Sequence, residues 1–394
     1  ILTKHIIIPY IVGDGIGYDI WRASKEVLEE SVLKAYNTEK RIEWKELYAG
    51  LKAVEKTGSL LPEETVEVIK SCGFAIKGPL TTPVGGGFRS INVQMRQLFD
   101  LYVCMRPIRY FEGLPSPLKR PEGIDLIIFR ENTEDIYRGI EWEEGASETD
   151  DVINFFRGKM NVDLSDSTAI GVKPISKAGT VRFARWAIDY AIKNNRKSVT
   201  VVHKGNIMKY TEGAFKEWSY EVAKEFGENI VFGNDGVGLV LPENKVFFND
   251  RIADNMFMQV ILYPQRYDIL MCPNLNGDYL SDACAALIGG LGVAPGANIG
   301  ADVAIFEPTH GSAPELAGKD EANPISLLLS ASMMFRFIGL DKASSLLEKA
   351  VEDTIRAGIM TYDLASQRSG VTPVKCSEFG EELKKRIGCA AWDV

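Results

Sequence analysis

Residues 6–35, IIIPYIVGDGIGYDIWRASKEVLEESVLKA, run from an apolar stretch through a glycine-rich turn into a periodic apolar pattern. The continuous run at 6–12 predicts a buried strand, and the spacing within 17–35 predicts an amphipathic helix. The same succession recurs along the chain. Further strands are predicted at 73–77, 101–107, 125–129, 198–203, 267–272 and 302–306, and further helices at about 63–71, 175–193, 211–226, 252–262, 278–288, 325–338 and 343–357. We therefore predict an α/β fold with substantial parallel pairing.

The composition narrows the class of protein. The 394 residues are 45% hydrophobic and 25% charged, which is typical of a globular chain. A net charge of −9 without a long basic run argues against a nucleic-acid partner. No apolar run reaches the roughly 18 residues of a membrane-spanning helix. The six cysteines show no CxxC pattern and mostly lie among apolar residues, so we expect reduced thiols and a cytoplasmic location.

Three glycine-containing segments follow predicted strands. Gly13–Gly17 has the spacing GxGxG instead of GxGxxG, which favours a tight strand-to-helix turn over a dinucleotide-binding loop. Residues 78–87, GPLTTPVGGG, combine stiffening prolines with glycines that let a ligand approach the backbone, although a plain surface loop also fits. Residues 310–314, HGSAP, follow a strand, where α/β proteins bind ligands. For His310 itself, a structural role is equally compatible.

Several polar residues indicate an anion site. Ser90 is placed to begin a helix, either as its N-cap or as a contact for an anion at the helix N-terminus. Arg96 lies two turns along that helix, and Arg106 and Arg130 end apolar strands. Charges at the ends of buried strands are costly unless paired. Guanidinium groups bind carboxylates bidentately, so these arginines fit a substrate with several carboxylates, while structural ion pairs remain the alternative for each.

Two aspartates suggest a divalent cation. Asp278 and Asp282 are four residues apart and share one face of a predicted helix, where an oxygen-binding cation such as Mg²⁺ would relieve their repulsion. Asp254 is a third candidate ligand, and an aspartate pair on a solvated face is the alternative. A lysine near such a cation has a lowered pKa, so Lys204 would serve as a base and Tyr137 as an acid. Taken singly, both also fit structural roles.

Eight segments resemble the metal-dependent β-decarboxylating dehydrogenases in their order along the chain: GDGIG, GPLTTPVGGGFRS, FRENTEDIYRGIEW, VHKGNIMKYTEGAFKEW, NLNGDYLSDA, APGANIG, HGSAPELAG and KCSEFG. The resemblance implies an isocitrate/isopropylmalate dehydrogenase-like fold, which is not a Rossmann fold. It implies a large, cofactor-binding domain of residues 1–101 and 289–394 and a small domain of residues 102–134 and 177–288. Residues 135–176 would form a clasp that interlocks the two subunits of a homodimer.

The resemblance also implies an activity, because Ser90-x-Asn92-x-x-x-Arg96 is similar to the isocitrate enzymes of that family and not to the isopropylmalate enzymes. Isocitrate would be oxidised and decarboxylated to 2-oxoglutarate and CO₂, a step of the tricarboxylic acid cycle. The implied contacts with the substrate carboxylates are Ser90, Asn92, Arg96, Arg106 and Arg130.

The remaining roles are carried over in the same way. Tyr137 would protonate the product enolate, and Lys204 would assist removal of the hydroxyl proton. The metal, Mg²⁺ or Mn²⁺, would be bound by Asp254, Asp278 and Asp282, and the partner subunit would supply Lys204 and Asp254 to each site. The implied cofactor contacts are Thr82, His310, Gly311, Ser312, Ala313, Glu315, Leu316 and Asn323.

The cofactor positions depart from those of the bacterial NADP enzymes of this family. Glu315 and Leu316 replace a lysine and a tyrosine, Ser366 replaces an arginine, and Tyr263 replaces an arginine that reaches in from the partner subunit. Because Glu315 would repel a 2′-phosphate and would accept hydrogen bonds from a bare ribose, we predict an NAD-dependent enzyme.

Two other functions remain compatible with the sequence. The first is a homoisocitrate dehydrogenase or another 3-substituted malate dehydrogenase of the same family, against which Ser90-x-Asn92 argues. The second is a non-catalytic regulatory subunit. Such subunits usually lose catalytic positions, whereas Lys204, Tyr137 and all three aspartates are present here.

Overall fold

The computed structural model describes residues 4–81, 90–234 and 241–389. Thirteen strands lie within these residues: β1 (His5–Ile11), β2 (Arg41–Glu46), β3 (Phe74–Lys77), β4 (Val103–Arg109), β5 (Asp125–Glu131), β6 (Glu141–Trp142), β7 (Ile170–Gly171), β8 (Ser198–His203), β9 (Ile230–Phe232), β10 (Val246–Ile252), β11 (Ile269–Cys272), β12 (Pro295–Ile299) and β13 (Ala304–Pro308).

The same described ranges contain thirteen α-helices: α1 (Gly17–Ala35), α2 (Leu51–Thr57), α3 (Glu63–Cys72), α4 (Ile91–Leu98), α5 (Ser147–Phe155), α6 (Lys177–Lys193), α7 (Glu212–Glu225), α8 (Ala253–Leu262), α9 (Asn274–Ala286), α10 (Ile325–Phe337), α11 (Asp341–Arg356), α12 (Tyr362–Ala365) and α13 (Cys376–Cys389). Short 3-10 helices span Asp135–Arg138, Gly227–Asn229, Pro264–Arg266, Leu291–Val293 and Pro314–Leu316, and a π-helix spans Phe156–Met160. None of the helices in the described ranges is long and apolar enough to cross a membrane.

One sheet of eleven strands organises the molecule, in the order β2-β1-β3-β13-β12-β4-β5-β11-β8-β10-β9. Its outer strands pair in parallel, whereas β13, β12, β4 and β5 pair antiparallel at the centre. The predicted α/β class with parallel pairing is therefore confirmed, and every predicted strand is present, with unchanged bounds for 198–203 and shifted ends for the others. Strands β2, β9, β10 and β12 were not predicted. β12 reads PGANI, and its proline, glycine and asparagine are depleted in strands.

The segment 135–176, which was predicted to be a clasp, stands apart from this sheet. It contains the 3-10 helix Asp135–Arg138, α5, the π-helix and a separate two-stranded sheet of β6 and β7. Large apolar side chains are exposed in it, among them Phe155 and Met160. The division into a large domain, a small domain and a clasp stays a prediction.

The central strands place two arginines on one face of the sheet. In the antiparallel pair of β4 and β5, Cys104 lies opposite Arg130, and Arg106 lies two residues further along β4. Because side chains alternate between faces, Arg106 and Arg130 point to the same side. Helix α9, which follows β11 after Pro273, packs on that side and carries Asp278 and Asp282.

Candidate active site

Arg130 forms the centre of the site. Its side chain is 1% exposed, its Nε donates to Asn274 Oδ1 over 2.7 Å, and one terminal nitrogen forms an ion pair with Asp278. Its guanidinium carbon also lies 4.6 Å from the centroid of the Tyr137 ring. The Tyr137 hydroxyl donates to the other Asp278 oxygen over 2.5 Å. Two predicted site residues thus meet one predicted metal ligand.

The glycine in NLNGDY is required by this arrangement. A Cβ atom on Gly277 would lie 2.7 Å from Cβ of Arg130 and 2.9 Å from its Cγ, closer than side-chain carbons can approach. Only glycine lets α9 lie against β5 at this point. The helix then brings the Asp278 carboxylate to the Arg130 guanidinium.

Asp282 is held by the second arginine of the sheet. Arg106 NH1 lies 3.2 Å from Asp282 Oδ1 and donates to the Ser281 hydroxyl over 2.8 Å. Burial raises the pKa of Asp282, and the neighbouring Asp278 charge raises it further, against the pull of Arg106. Burial also raises the pKa of Asp278, but Arg130 and the Tyr137 hydrogen bond hold it below its usual value. Both carboxylates are partly exposed and, four residues apart, lie on one face of α9.

These two carboxylates fit part of a Mg²⁺ or Mn²⁺ site. Both are oxygen ligands on one helix face, which is the donor type that such cations prefer. Across residues 4–81, 90–234 and 241–389, however, no group of three or more acidic, histidine or cysteine side chains is close enough to hold a metal. Among the described residues, Asp278 and Asp282 would therefore form at most two ligands of such a site.

Asp254 and Lys204 do not join Asp278 and Asp282 within the chain. Lys204 follows β8, Asp254 lies in the first turn of α8, and Lys204 Nζ is 2.6 Å from Asp254 Oδ1. The Asp254 side chain is 70% exposed, so the pair lies at the surface. The structure thus brings the predicted catalytic and metal residues together in two separate groups.

The predicted substrate contacts at α4 have unsatisfied polar atoms. Within the part of the chain that the structure describes, Asn92 Oδ1, Arg96 Nε and Arg130 NH2 are buried without a hydrogen-bond partner. Ser90 occupies the N-cap position of α4, yet its hydroxyl makes no capping hydrogen bond. Buried polar groups are nearly always paired, so these atoms fit contacts with a polar ligand.

Sequence reasoning missed two charged residues beside Arg96. Glu307 in β13 accepts a hydrogen bond from Asn298 over 2.6 Å and forms ion pairs with Lys77 and, at 3.7 Å, with Arg96. Burial opposes ionisation of Glu307, but Lys77 and Arg96 lower its pKa to about 2. Burial and the nearby Arg96 also lower the pKa of Arg130, so the cations repel one another. Lys77 and Glu307 lie at the ends of buried strands, so the argument from charges at strand ends could have identified them as well. The sequence analysis used that argument only for the arginines.

The three glycine-containing segments converge on one another. Asp14 N donates to Pro79 O over 2.7 Å and Ile16 N to Ser312 O over 2.9 Å, so these amides are already occupied. A Cβ on Gly15, whose φ is +56°, would lie 1.9 Å from Ser312 O. The interpretation of GDGIG as a tight turn is therefore confirmed, because its amides do not form an open phosphate cradle.

The predicted cofactor contacts are spread along this junction. His310 Nε2 is buried without a partner among the described residues, and burial lowers its pKa, which keeps the ring neutral. Asn323 is committed within the chain, since its Nδ2 donates to Asp363 over 2.9 Å and its Oδ1 accepts from Ile325 N. Gly311 and Glu315 are exposed, Ser312, Ala313 and Leu316 are partly buried, and Thr82 lies outside the described residues.

The family model described as isocitrate/isopropylmalate dehydrogenase matches residues 7–383. The chain belongs to the isocitrate/isopropylmalate dehydrogenase family. A member from Staphylococcus epidermidis, named isocitrate dehydrogenase (NADP), is 50% identical over an alignment of 402 positions that covers 97% of this chain and 95% of that protein. One from Archaeoglobus fulgidus with the same name is 51% identical over 391 residues, 98% of this chain and 94% of its own.

A solved structure confirms the predicted isocitrate/isopropylmalate dehydrogenase-like fold. Isocitrate dehydrogenase from Methylococcus capsulatus is 38% identical and superimposes with a TM-score of 0.80 over 97% of this chain and 99% of that chain.

The predicted NAD dependence is wrong on this comparison, because the two relatives at about 50% identity are both named for NADP. The prediction looked for cationic side chains only at the positions that match the phosphate-binding residues of the bacterial NADP enzymes. In the structure, the Arg266 guanidinium carbon lies 4.0 Å from the centroid of the Tyr263 ring, so a cation is present beside that position after all. The Glu315 side chain is exposed, where water and salt screen its charge.

Proposed function

We propose that this protein oxidises and decarboxylates isocitrate to 2-oxoglutarate and CO₂, with NADP as electron acceptor and Mg²⁺ or Mn²⁺ as the metal. The observation that carries the proposal is the cluster of Arg96, Arg106 and Arg130, in which Arg106 and Arg130 pair with the carboxylates of α9 and Arg96 pairs with Glu307. Within the described ranges, Arg96 Nε and Arg130 NH2 are buried without a hydrogen-bond partner. The names of the relatives support isocitrate and NADP. The six free cysteines support a cytoplasmic location.

The charge of the site suits a tricarboxylate. The site contains four cationic side chains and three carboxylates, which leaves one excess positive charge. The cations are Arg96, Arg106, Arg130 and Lys77, and the carboxylates are Asp278, Asp282 and Glu307. A divalent cation on α9 would bring the excess to about three positive charges, matching the three carboxylates of isocitrate. Isopropylmalate, with two carboxylates and an apolar branch, would leave a buried cation unpaired, at a cost.

When bound, the metal would act as a Lewis acid on the hydroxyl oxygen of the substrate and on the enolate oxygen, and NADP would accept a hydride. Tyr137 holds a proton at its hydroxyl, because burial, with a smaller effect from the Asp278 hydrogen bond, raises its pKa to about 12. A donor that remains protonated at neutral pH fits the late protonation of the enolate. The arginines orient the substrate by its carboxylates, since guanidinium groups bind them bidentately.

Lys204 and Asp254 complete the site from the partner subunit in this proposal. Both lie at the surface and pair with each other, away from Asp278 and Asp282. The exposed apolar side chains on α8, Met258, Ile261 and Leu262, fit an interface between two copies. The proposed unit is a homodimer with two shared sites.

Arg266 is the proposed contact for the 2′-phosphate. It is exposed, stacks on Tyr263 and forms no ion pair with a described residue. If Tyr263 reaches the cofactor of the partner subunit, as its matching position does in related enzymes, the guanidinium of Arg266 comes with it. Bidentate contact with a phosphate is a usual role of arginine.

Steady-state kinetics of the purified chain test the proposal. We expect turnover of isocitrate that requires Mg²⁺ or Mn²⁺, ceases with chelator, and shows a higher kcat/KM with NADP than with NAD. A higher kcat/KM for homoisocitrate or isopropylmalate would contradict the substrate. No turnover with any of the three would favour a regulatory subunit, and equal or better use of NAD would contradict the cofactor.

A further inference from the structure

Glu212 is a fully buried carboxylate outside the residues assigned so far. It is the first residue of α7, and its side chain is 0% exposed. Lys204 N donates to Glu212 Oε2 over 2.5 Å, and Asn276 Nδ2 donates to the same oxygen over 2.8 Å. Lys173 Nζ lies 3.0 Å from Oε1, as an ion pair rather than a hydrogen bond. One carboxylate thus joins the end of β8, helix α9 and the segment before α6.

Lys173 extends this cluster towards Tyr137. Its Nζ lies 2.6 Å from Asp135 Oδ1, and Asp135 is 1% exposed. Asp135 is the first residue of the 3-10 helix that carries Tyr137, and its Oδ2 accepts from Leu275 N over 3.1 Å at the start of α9. The alternating charges of Glu212, Lys173 and Asp135 therefore connect the Tyr137 segment, α9 and Lys204.

The connected groups do not meet each other in the chain. Lys204 pairs with Asp254, whereas Tyr137 pairs with Asp278 on α9. In the proposed homodimer, Tyr137 and Asp278 act in one active site and Lys204 in the other. Glu212, a single buried residue, is therefore linked to catalytic groups of both active sites.

We propose that Glu212 is a positioning residue for both active sites of the dimer, an inference that rests on the proposed function and its shared sites. Its carboxylate sets the backbone position of Lys204 through the N–H and the start of α9 through Asn276. It holds the Tyr137 segment through Lys173. Catalytic groups must be placed within a fraction of an ångström, so a small shift of any of these segments lowers kcat.

The charge of Glu212 is essential to this role. Glu212→Gln keeps the size of the side chain, but it presents an amide nitrogen either to the Lys173 ammonium or to the two N–H donors. A buried donor facing another donor is destabilising, so the segments must separate. Glu217→Gln, on the exposed side of the same helix, is the matched control, because Glu217 is 66% exposed and its ion pair among the described residues is with Lys216.

Heterodimers with one variant chain separate this role from others. They are made by co-expression with two affinity tags and assayed for isocitrate turnover with NADP. A dimer of one Tyr137→Phe chain and one wild-type chain should retain about half of the wild-type kcat, because one site is intact. A dimer of one Glu212→Gln chain and one wild-type chain should retain about a tenth or less, because both sites contain a displaced segment. KM for isocitrate should change little, since the arginines are untouched.

A variant that removes only one of the three links of Glu212 provides the comparison with Glu212→Gln. Asn276→Ala breaks only the link to α9, so its heterodimer with a wild-type chain should keep about half of the activity or more. The Glu217→Gln heterodimer should match wild type. Thermal unfolding and molecular mass of each dimer show that the chains are folded and paired.

Retention of half or more of the kcat by the Glu212→Gln heterodimer, with wild-type enzyme active, would overturn the inference and leave the proposed function standing. If the Glu212→Gln chain does not fold, Lys173→Met replaces it, because that change cuts the link between Glu212 and Asp135. Its heterodimer with a wild-type chain should keep about half of the kcat, because the Tyr137 segment of one site is displaced, and an undiminished kcat would overturn the inference. Absence of isocitrate turnover in the wild-type dimer would instead contradict the proposed function.

Discussion

The hydroxyl of Tyr137 donates a 2.5 Å hydrogen bond to Asp278. The proposed proton donor is therefore tied to a proposed metal ligand, and a change at either affects the other. Asp278 is also the ion-pair partner of the buried Arg130. One carboxylate of the proposed metal site is therefore in contact with both the proposed proton donor and a proposed substrate-binding arginine.

Asp278→Asn should lower metal affinity and kcat by at least about 100-fold, because a charged oxygen ligand is lost and losses of even outer-shell partners cost 10- to 100-fold. Titration of activity with Mn²⁺ measures both. Asp341→Asn, at the start of α11, is a suitable control. Unchanged metal dependence would exclude Asp278 as a ligand.

Ser90→Asp should raise KM for isocitrate strongly while the protein stays folded. Like charges about 4 Å apart in a partly shielded cleft repel by roughly 4 kcal/mol. Ser90 makes no capping hydrogen bond, so the change removes no helix contact. Ser90→Ala is the control for loss of the hydroxyl alone. A KM for Ser90→Asp that equals the KM of the control would show that Ser90 does not face the substrate.

Lys204→Met and Tyr137→Phe chains, each inactive as homodimers, should regain activity when paired. Such a heterodimer contains one site with both defects and one with neither, so about half of the wild-type kcat should return. Co-expressed, purified heterodimers are assayed for isocitrate turnover. Failure to regain activity would mean that each site is built from one chain.

Arg266→Ala should lower kcat/KM for NADP by about tenfold or more, with kcat/KM for NAD nearly unchanged. A hydrogen bond between a charged side chain and a phosphate typically contributes about 1.5–3 kcal/mol to binding. NAD has no 2′-phosphate, so its binding loses no such contact when Arg266 is removed. Arg368→Ala, another exposed arginine, is the control. Equal losses with both cofactors would indicate a structural role for Arg266.

Acid should destabilise the wild-type protein more than the Glu307→Gln variant. The folded pKa of Glu307 is about 2, below the ordinary value of 4.5, so its stabilisation is present above pH 4.5 and is lost as the pH falls towards 2. The shift corresponds to about 3 kcal/mol. Urea unfolding between pH 6 and 3 measures the slope for each protein. Parallel slopes would show that the charge of Glu307 does not contribute.

Strands with a regular apolar pattern could be predicted from the sequence. The central strand β12 could not, because its composition is not typical of a strand. The strand 198–203 was predicted with the bounds that the structure has, because a continuous run of β-branched residues needs no tertiary context. β12 is a strand only because β4 and β13 pair with it on both sides. The antiparallel core of the sheet therefore depended on partners distant in sequence.

The site was predictable where one side chain carries the chemistry. Arg106, Arg130, Tyr137 and the aspartates of α9 meet as their residue types suggested. Glu307 and Lys77 were missed because their charges were not weighed at strand ends, and because their ion pair is formed only by the pairing of β13 with β3, which the sequence pattern does not show. The cofactor prediction failed for a different reason: it compared only the matching positions and so did not consider Arg266, which lies three residues after Tyr263 and stacks on its ring.

The pairing of β13 with β3 has a consequence for protein synthesis. Strand β3 ends at Lys77 and pairs with β1 on one side, but its neighbour on the other side is not made until residues 304–308 leave the ribosome. Helix α1 waits longer still, because α13 lies against it so closely that a Cβ on Gly380 would be 2.4 Å from Ala23 O. The nascent chain therefore carries an uncovered strand edge and an apolar helix face through most of translation, and both features favour aggregation of the unfinished protein.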